Sequence, residues 1–238
     1  MIGTEQVNAG RVNGLVTHAD NPRAGVVLLP TISGVDGFMR GRGERLAEAG
    51  FSSLAWDPYP GEPPPADLPS ALERSKALND GMLDDMEACV GHLLGPMKLP
   101  AAAVVGFCLG GRYALLLAAR DRRLFACVPY YPSVHVPKQP HQALDAVALS
   151  SEIACPVHLV HAGADQVFLP HAFAAVRGAL EQRGSGATVV EIHPGAAHSF
   201  MRPDLQKIPA NASGSRLSWP QVTGFLDACL AERAAAQG

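Results

Sequence analysis

The stretch AAAVVGFCLGGRYALLLAA, residues 101–119, decides the fold of this chain. Its first part is a short apolar run that predicts a buried strand over 102–107, and its second part predicts a helix over 109–119. Three glycines lie between the two parts, where a sharp turn is tolerated because glycine has no Cβ. The stretch carries Arg112 as its single charge and approaches the length of a membrane span, but its central glycines favour a strand, a turn and a helix.

The rest of the chain alternates short β-rich runs with longer helical patterns, which is typical of a mostly parallel sheet with helices on both faces. The predicted strands are 12–17 (at an edge), 25–29, 51–55, 125–131, 157–162 and 188–192. The predicted helices are 37–49, 71–94 with a break near 79–81, 170–182 and 219–233. Prolines predict a loop over 56–69, and a second loop runs to about residue 150. No linker or repeat divides the chain, so we expect one α/β domain over residues 1–238.

Composition excludes several classes of protein. Of the 238 residues, 47% are hydrophobic and 17% charged, which excludes a disordered chain. A net charge of −3 argues against nucleic acid as a partner. Five cysteines without a CxxC pair, and an amino terminus without a signal-peptide pattern, predict a reducing, cytoplasmic location. No metal-ligand spacing or nucleotide-binding loop is found, so we expect no metal, no cofactor and no membrane partner, in a monomer or weak homodimer.

A candidate nucleophile lies at the turn between the central strand and its helix. The sequence GFCLG, residues 106–110, is a G-x-C-x-G version of the turn that exposes a nucleophile above a sheet. Cys108 is then at a helix amino terminus, where free backbone N–H groups and the helix dipole favour a thiolate. The alternative is an inert, buried thiol in a glycine-rich turn.

Two further residues complete a constellation with Cys108. Asp165 follows the predicted strand 157–162, where a carboxylate can orient an imidazole, although alone it would be read as a turn or helix-cap residue. His198 follows the predicted strand 188–192 in a Gly/Ala loop, and alone it would be read as a surface histidine. Nucleophile, acid and histidine occur in the chain order of the α/β-hydrolases, and each follows a predicted strand.

At these residues the sequence resembles the dienelactone hydrolase family, over about residues 10 to 230. The resemblance rests on GFCLGG (106–111), AGADQVF (162–168) and GAAHSFMR (195–202). The segments ISGVDGFMRG (32–41) and DMEACVG (85–91) support it. It implies an α/β-hydrolase fold, with a mostly parallel central sheet and helices on both faces.

The resemblance also implies roles for individual residues. Cys108 would be the nucleophile, His198 the general base and acid, and Asp165 the residue that orients the histidine. The backbone N–H groups of Ile32 and Leu109 would form the oxyanion hole. As a further implication, two arginines, Arg74 and Arg202, would bind a substrate carboxylate.

One position departs from the family pattern. Where the dienelactone enzymes carry a glutamate that pairs with the cysteine, this chain has Thr31, which cannot take the thiol proton. Two aromatic residues near the family's substrate arginine are replaced by Leu78 and Gly81.

Several functions remain open at this point. The expected function is hydrolysis of a small carboxylic ester or lactone, with or without a substrate carboxylate, through a thioester acyl-enzyme. The alternatives are a broad small-ester hydrolase that does not act on dienelactone, and a non-catalytic binding member of the fold. A cysteine peptidase is disfavoured because the sequence offers no evident extended cleft.

Overall fold

A computed structural model describes residues 2–236 and contains, within that range, one sheet of eight strands and seven α-helices. The strands are β1 (Gly3–Ala9), β2 (Val12–His18), β3 (Ala24–Leu29), β4 (Phe51–Trp56), β5 (Ala102–Phe107), β6 (Leu124–Tyr130), β7 (Val157–Ala162) and β8 (Thr188–His193). The helices are α1 (Gly37–Glu48), α2 (Leu68–Ser75), α3 (Leu83–Leu94), α4 (Leu109–Arg120), α5 (Ala146–Ser150), α6 (Pro170–Glu181) and α7 (Pro209–Ala235).

The sheet has the strand order β1-β2-β4-β3-β5-β6-β7-β8. Strand β2 pairs antiparallel with β1 and β4, whereas all pairings from β4 to β8 are parallel. The predicted mostly parallel α/β sheet is therefore confirmed. Because the carboxyl ends of parallel strands meet at one edge of a sheet, the loops after β3, β5, β6, β7 and β8 converge there.

Helices cover both faces of the sheet, as the apolar strands require. Side chains of α3, α4 and α6 form one hydrophobic core with one face, and side chains of α1 and α7 form a second core with the other. Strand β5 lies between the two and alternates between them: Val104 belongs to the first core, and Val105 and Phe107 belong to the second. The site-bearing turn after β5 thus rests on a strand that is buried on both faces.

The turn from β5 to α4 is possible only with glycine at two positions. A Cβ at Gly106 would lie 2.0 Å from the carbonyl oxygen of Gly110, and a Cβ at Gly110 would lie 2.2 Å from the carbonyl oxygen of Leu29. Both distances are far inside van der Waals contact, so the two glycines let the turn close against itself and against the end of β3. No helix in the described range 2–236 is both long and apolar enough to cross a membrane.

The structure differs from the sequence-based expectation in three places. Strand β1 was not predicted, so β2 is an interior strand and not an edge. The short helix α5 lies in a segment predicted as loop. Helix α7 begins at Pro209, ten residues before the predicted start, and continues through Pro220. Its first turns are rich in small and polar residues, which give no apolar period to detect.

Candidate active site

Cys108 lies on a strained turn between β5 and α4. Its backbone angles are φ 57° and ψ −116°, in a region that residues with a Cβ rarely adopt. Backbone hydrogen bonds fix this geometry: its N–H donates to Tyr130 O (3.1 Å), and its carbonyl accepts from the N–H groups of Arg112 (3.1 Å) and Ser133 (2.8 Å). The thiol is half-buried. The turn therefore holds the side chain at the carboxyl edge of the sheet.

Backbone strain is concentrated around this cysteine. Among residues 2–236, the non-glycine residues with positive φ are Lys98, Cys108, Tyr131 and Ser199. Tyr131 packs edge-on against the His198 ring, with centroids 5.3 Å apart, and Ser199 directly follows His198. Strained backbone of this kind persists where surrounding contacts hold it and is common at functional sites. Three of the four residues with positive φ, Cys108, Tyr131 and Ser199, therefore lie at this site.

Asp165 lies in the loop after β7 with a fully buried side chain. Its Oδ1 accepts hydrogen bonds from the backbone N–H groups of Val167 (2.7 Å) and Phe168 (2.9 Å). Its Oδ2 lies 2.8 Å from Nδ1 of His198. Since the two backbone donors fix the carboxylate, Asp165 holds the imidazole in one orientation.

His198 lies in the loop after β8, and its side chain is 16% exposed. Burial alone would lower the pKa of His198, but the interactions with Asp165 and Cys108 outweigh it and raise the pKa to about 10. Its Nε2 has no directed hydrogen-bond partner among the described side chains and backbone groups, while Cys108 is close enough to favour the protonated ring. The loops after β5, β7 and β8 therefore bring Cys108, Asp165 and His198 into one group.

Asn211, which was not predicted to take part in the site, supports the histidine loop from α7. Its side chain is fully buried, with Oδ1 accepting from the N–H of Ala197 (2.9 Å) and Nδ2 donating to Leu205 O (3.2 Å). Ala197 directly precedes His198, so Asn211 fixes the approach of the loop to the cysteine. The start of α7 at Pro209 was not predicted, so Asn211 was expected to lie in a loop. The direction of a side chain in a loop cannot be inferred from the sequence.

The segment between β3 and α1, residues 31–36, is called the 31–36 loop below. Thr31 at its start is buried, and its Oγ1 accepts from the N–H of Ser33 (3.2 Å), while its carbonyl accepts from the N–H of Gly34 (3.1 Å). At the other end, Asp36 Oδ1 caps α1 by accepting from the N–H of Met39 (3.1 Å). The Thr31 hydroxyl is therefore engaged in shaping the loop that carries Ile32.

A cavity of about 520 Å³ adjoins these loops. Ile32 and Leu109, the two residues that were expected to form an oxyanion hole, both line this cavity. Leu109 is the first residue of α4, where the backbone N–H has no partner within the helix. Beyond them, the wall includes two histidines, His135 and His141, that sequence reasoning left without a role. Burial, Arg112 and His141 all lower the pKa of His135.

The cavity wall also contains a buried ion pair that was not predicted. Arg112 Nη1 and Nη2 lie 2.6 and 3.1 Å from the two carboxylate oxygens of Asp80, and both side chains are at most 5% exposed. The pair also holds Leu144, whose N–H donates to Asp80 Oδ2 (2.8 Å) and whose carbonyl accepts from Arg112 Nη2 (2.9 Å). Arg112 is the single charged residue of the apolar stretch 101–119. This isolated charge is the feature of the sequence that could have indicated a buried ion pair.

Arg74 and Arg202 both contact the 31–36 loop. Arg74 Nη2 donates to Ser33 O (3.2 Å), and Arg202 Nη1 donates to Asp36 Oδ2 (3.1 Å). Within the described structure the lining of the cavity includes neither arginine, and it includes none of Cys108, Asp165 and His198 either.

The buried histidines at the β8 edge form a different cluster. His158 Nε2 lies 2.9 Å from Glu191 Oε2, and His193 Nε2 lies 2.6 Å from Glu191 Oε1. Burial opposes the charge of Glu191, but the two imidazoles outweigh it and lower the pKa of Glu191. Within residues 2–236, no group of three or more His, Cys, Asp or Glu side chains is arranged to hold a metal ion.

The chain is similar to known proteins in both sequence and structure. The model of the "Dienelactone hydrolase family" matches residues 12–230. A carboxymethylenebutenolidase from Pseudomonas putida is 30% identical over 211 residues, which cover 82% of each chain. One from Rhodococcus opacus is 27% identical, covering 86% of this chain and 81% of its own. A dienelactone hydrolase-like promiscuous phosphotriesterase from metagenomic libraries has a TM-score of 0.78 at 22% identity, covering 96% of this chain and 98% of its own.

Proposed function

Because this chain belongs to the dienelactone hydrolase family, it is a hydrolase of the ester or lactone type, and we propose that it acts through a triad of Cys108, His198 and Asp165. The proposed reaction is cleavage of a small carboxylic ester or lactone by way of a thioester acyl-enzyme. The relatives named carboxymethylenebutenolidase support a lactone among the substrates. A cavity of about 520 Å³, a volume typical of small-molecule sites, is lined by Ile32 and Leu109, the two proposed oxyanion donors, and not by the three triad residues themselves.

One observation carries this proposal. The Asp165 carboxylate lies 2.8 Å from Nδ1 of His198, and the same imidazole interacts with Cys108 on the strained turn. A nucleophile, a base and a residue that orients the base are what acyl transfer through a covalent intermediate needs. A buried structural thiol would need none of these.

In the first half of the proposed reaction, Cys108 Sγ attacks the carbonyl carbon of the substrate. The carbonyl oxygen gains negative charge and is stabilised by the backbone N–H groups of Ile32 and Leu109. The tetrahedral intermediate then collapses: the carbon–oxygen bond to the leaving group breaks, and His198 Nε2 gives that oxygen its proton. The products are a thioester on Cys108 and an alcohol, which in a lactone stays attached to the acyl chain.

In the second half, a water molecule attacks the thioester carbonyl. Neutral His198 takes one proton from the water, and the resulting intermediate loses Cys108 as the leaving group. The thiolate then shares a proton with His198 again, and the carboxylic acid product departs. Asp165 keeps the imidazole oriented and stabilises its positive charge in both halves, without itself taking a proton.

Activation of the thiol is assigned to His198. The Thr31 hydroxyl accepts from Ser33 N–H and has no charge with which to draw a proton from Cys108. A protonated imidazole next to a cysteine stabilises the thiolate, and an α-helix amino terminus adds to this effect. Thr31 would thus contribute to the substrate site only through the shape of the 31–36 loop.

Mass spectrometry tests the proposal directly. Intact protein exposed to p-nitrophenyl acetate should gain one acetyl group, and peptide mapping should place it on Cys108. The matched control is Cys155→Ser, which removes a different half-buried thiol and should leave the adduct in place. An adduct on another residue would contradict the assignment, and the absence of any adduct would favour a binding protein without catalysis.

The protonation of His198 gives a second test. We expect NMR of the imidazole to find His198 still protonated at about pH 8, because its pKa is raised to about 10 from an ordinary value of 6.5. Asp165→Asn removes a charged partner and should lower this pKa clearly. Deprotonation of wild-type His198 near its ordinary pKa would contradict the proposed pairing with Asp165 and Cys108.

A further inference from the structure

The cavity of about 520 Å³ adjoins the proposed triad without containing it. Leu109, which lines the cavity, directly follows Cys108 in the chain. Ser133, also in the wall, donates its backbone N–H to Cys108 O (2.8 Å). Val167, a third lining residue, donates its backbone N–H to Asp165 Oδ1 (2.7 Å). The wall is therefore one residue or one hydrogen bond away from the proposed nucleophile and from the residue that orients its base.

Much of the cavity wall is apolar. Aliphatic side chains reach it from the 31–36 loop, from α2 and the segment after it, from α4 and from the loop after β7: they are Ile32, Leu72, Leu78, Leu109 and Val167. Each methylene group of a ligand that moves from water to such a wall gains up to about fourfold in affinity. The cavity is therefore suited to an apolar chain.

The buried charges of the wall compensate each other. Arg112 pairs with Asp80, and its Nη2 also donates to Leu144 O (2.9 Å). The pKa of His135 is lowered, because burial, Arg112 and His141 all disfavour the imidazolium, and this side chain is therefore mainly neutral at neutral pH. A neutral ligand group can thus enter beside these residues without bringing a counter-charge.

Exposed apolar side chains continue from the cavity to the surface. Leu72 lines the cavity and is 51% exposed. Val136 and Leu169 are exposed as well, and each lies within two residues of a lining residue. Their two segments are in contact, because Nε2 of His171 in α6 lies 3.1 Å from Val136 O. Apolar surface that is exposed next to a cavity is typical of a ligand-binding groove.

The proposed reaction determines which part of the substrate faces this cavity. The leaving oxygen must lie near His198 Nε2 to receive its proton, so the alcohol group extends toward the loop after β8. The carbonyl oxygen lies at the N–H groups of Ile32 and Leu109, which both line the cavity. Within residues 2–236, no residue after Val167 lines it, so the histidine loop is not part of its wall. The remaining substituent of the carbonyl carbon is the acyl chain.

Resting on the proposed function, we propose that this cavity is an acyl-chain subsite with Leu72 at its mouth, and that the enzyme favours esters and lactones whose acyl part carries a neutral, apolar chain longer than acetyl. Arg74 and Arg202, which were expected to bind a substrate carboxylate, lie outside the wall, so this subsite is additional to any site that they form. In a lactone, a substituent on the acyl side of the ring would enter the cavity.

The test compares two isomers, ethyl hexanoate and hexyl acetate, which differ in which side of the ester carries the long chain. In pH-stat titration, wild-type protein should have the higher kcat/KM on ethyl hexanoate, by about tenfold or more. Leu72→Asp places a carboxylate at the mouth and should lower kcat/KM for ethyl hexanoate by about fivefold or more, with little change for hexyl acetate. The matched control, Leu217→Asp, alters a 57% exposed leucine on α7 and should have no effect.

Ser75→Phe is a second variant with the same purpose. Ser75 is half-buried at the end of α2 and lines the cavity, so phenylalanine there should fill part of it. This variant should lower kcat/KM for ethyl hexanoate and spare p-nitrophenyl acetate, whose acetyl group is short, and circular dichroism checks that each variant is folded.

A wild-type preference for hexyl acetate, or none for either isomer, would overturn the inference. Equal losses on both isomers in folded Leu72→Asp and Ser75→Phe would also overturn it. The proposed function is tested separately by acylation of Cys108 with p-nitrophenyl acetate. Acylated protein that shows no preference for ethyl hexanoate would therefore reject the subsite alone.

Discussion

Cys108→Ala should lower kcat for an activated ester by more than about a hundredfold, because no other group can form the acyl-enzyme. The fold should persist, since alanine is smaller than cysteine and adds no atom to the turn. Steady-state hydrolysis of p-nitrophenyl acetate measures the loss, and circular dichroism checks the fold. Cys155→Ser, the control used for mass spectrometry, should keep wild-type turnover.

A Cys108→Ala variant that retained more than about a hundredth of wild-type kcat would exclude nucleophilic catalysis by this thiol. His198→Ala offers an independent comparison within the same group. Because the two residues act as a unit, the double variant should be little worse than Cys108→Ala alone. Losses that multiply in the double variant would mean that the two side chains act in separate steps.

Asp80→Ala should cost about 3–5 kcal/mol in free energy of unfolding, because it leaves the Arg112 guanidinium buried without its counter-charge. Urea denaturation followed by fluorescence measures the change. Asp84→Ala is the matched control: it removes an aspartate whose ion pair with Arg120 is about half exposed on both sides, and it should cost at most about 1 kcal/mol. Equal losses in the two variants would contradict a special role for the buried pair.

The loss of stability in Asp80→Ala should depend on pH, and the pKa of Asp80 determines in which direction. Burial would raise the pKa of Asp80, but its hydrogen bonds with Arg112 and Leu144 outweigh burial and lower it. A lowered pKa in the folded protein stabilises at pH values above the unfolded pKa of about 4, and the contribution disappears as the pH falls through the folded value. The difference between wild type and Asp80→Ala should therefore be full near neutral pH and shrink in acid.

The positions of the candidate triad could be predicted because each depends on local signals. Cys108, Asp165 and His198 each follow an apolar β-rich run, and strands of a parallel sheet deliver the residues after them to one edge. The glycines around Cys108 added a second local signal, since the turn needs positions without a Cβ. Local pattern and sheet topology together were enough to bring three distant positions into one group.

The partners of the charged residues could not be predicted in the same way. Arg112 and Asp80 are 32 residues apart, and Arg202 and Asp36 are 166 apart. Such pairs depend on how helices and loops pack on the sheet, which leaves no periodic trace in the sequence. The contact of the Arg74 guanidinium with the Tyr59 ring likewise depends on this packing. The sequence alone does not show whether an arginine is a surface charge, binds the substrate or holds a loop.

Strand β1 escaped prediction because it lacks the alternation of a half-buried strand. Its sequence GTEQVNA is exposed at six of seven positions, and it pairs along its whole length with β2, most of which is buried. An outermost strand presents unpaired backbone N–H and C=O groups on which another chain can add, and polar or charged side chains discourage such growth. The exposed, mostly polar strand β1 therefore covers the edge of β2. At this side of the sheet it discourages the addition of a strand from another chain, and with it aggregation.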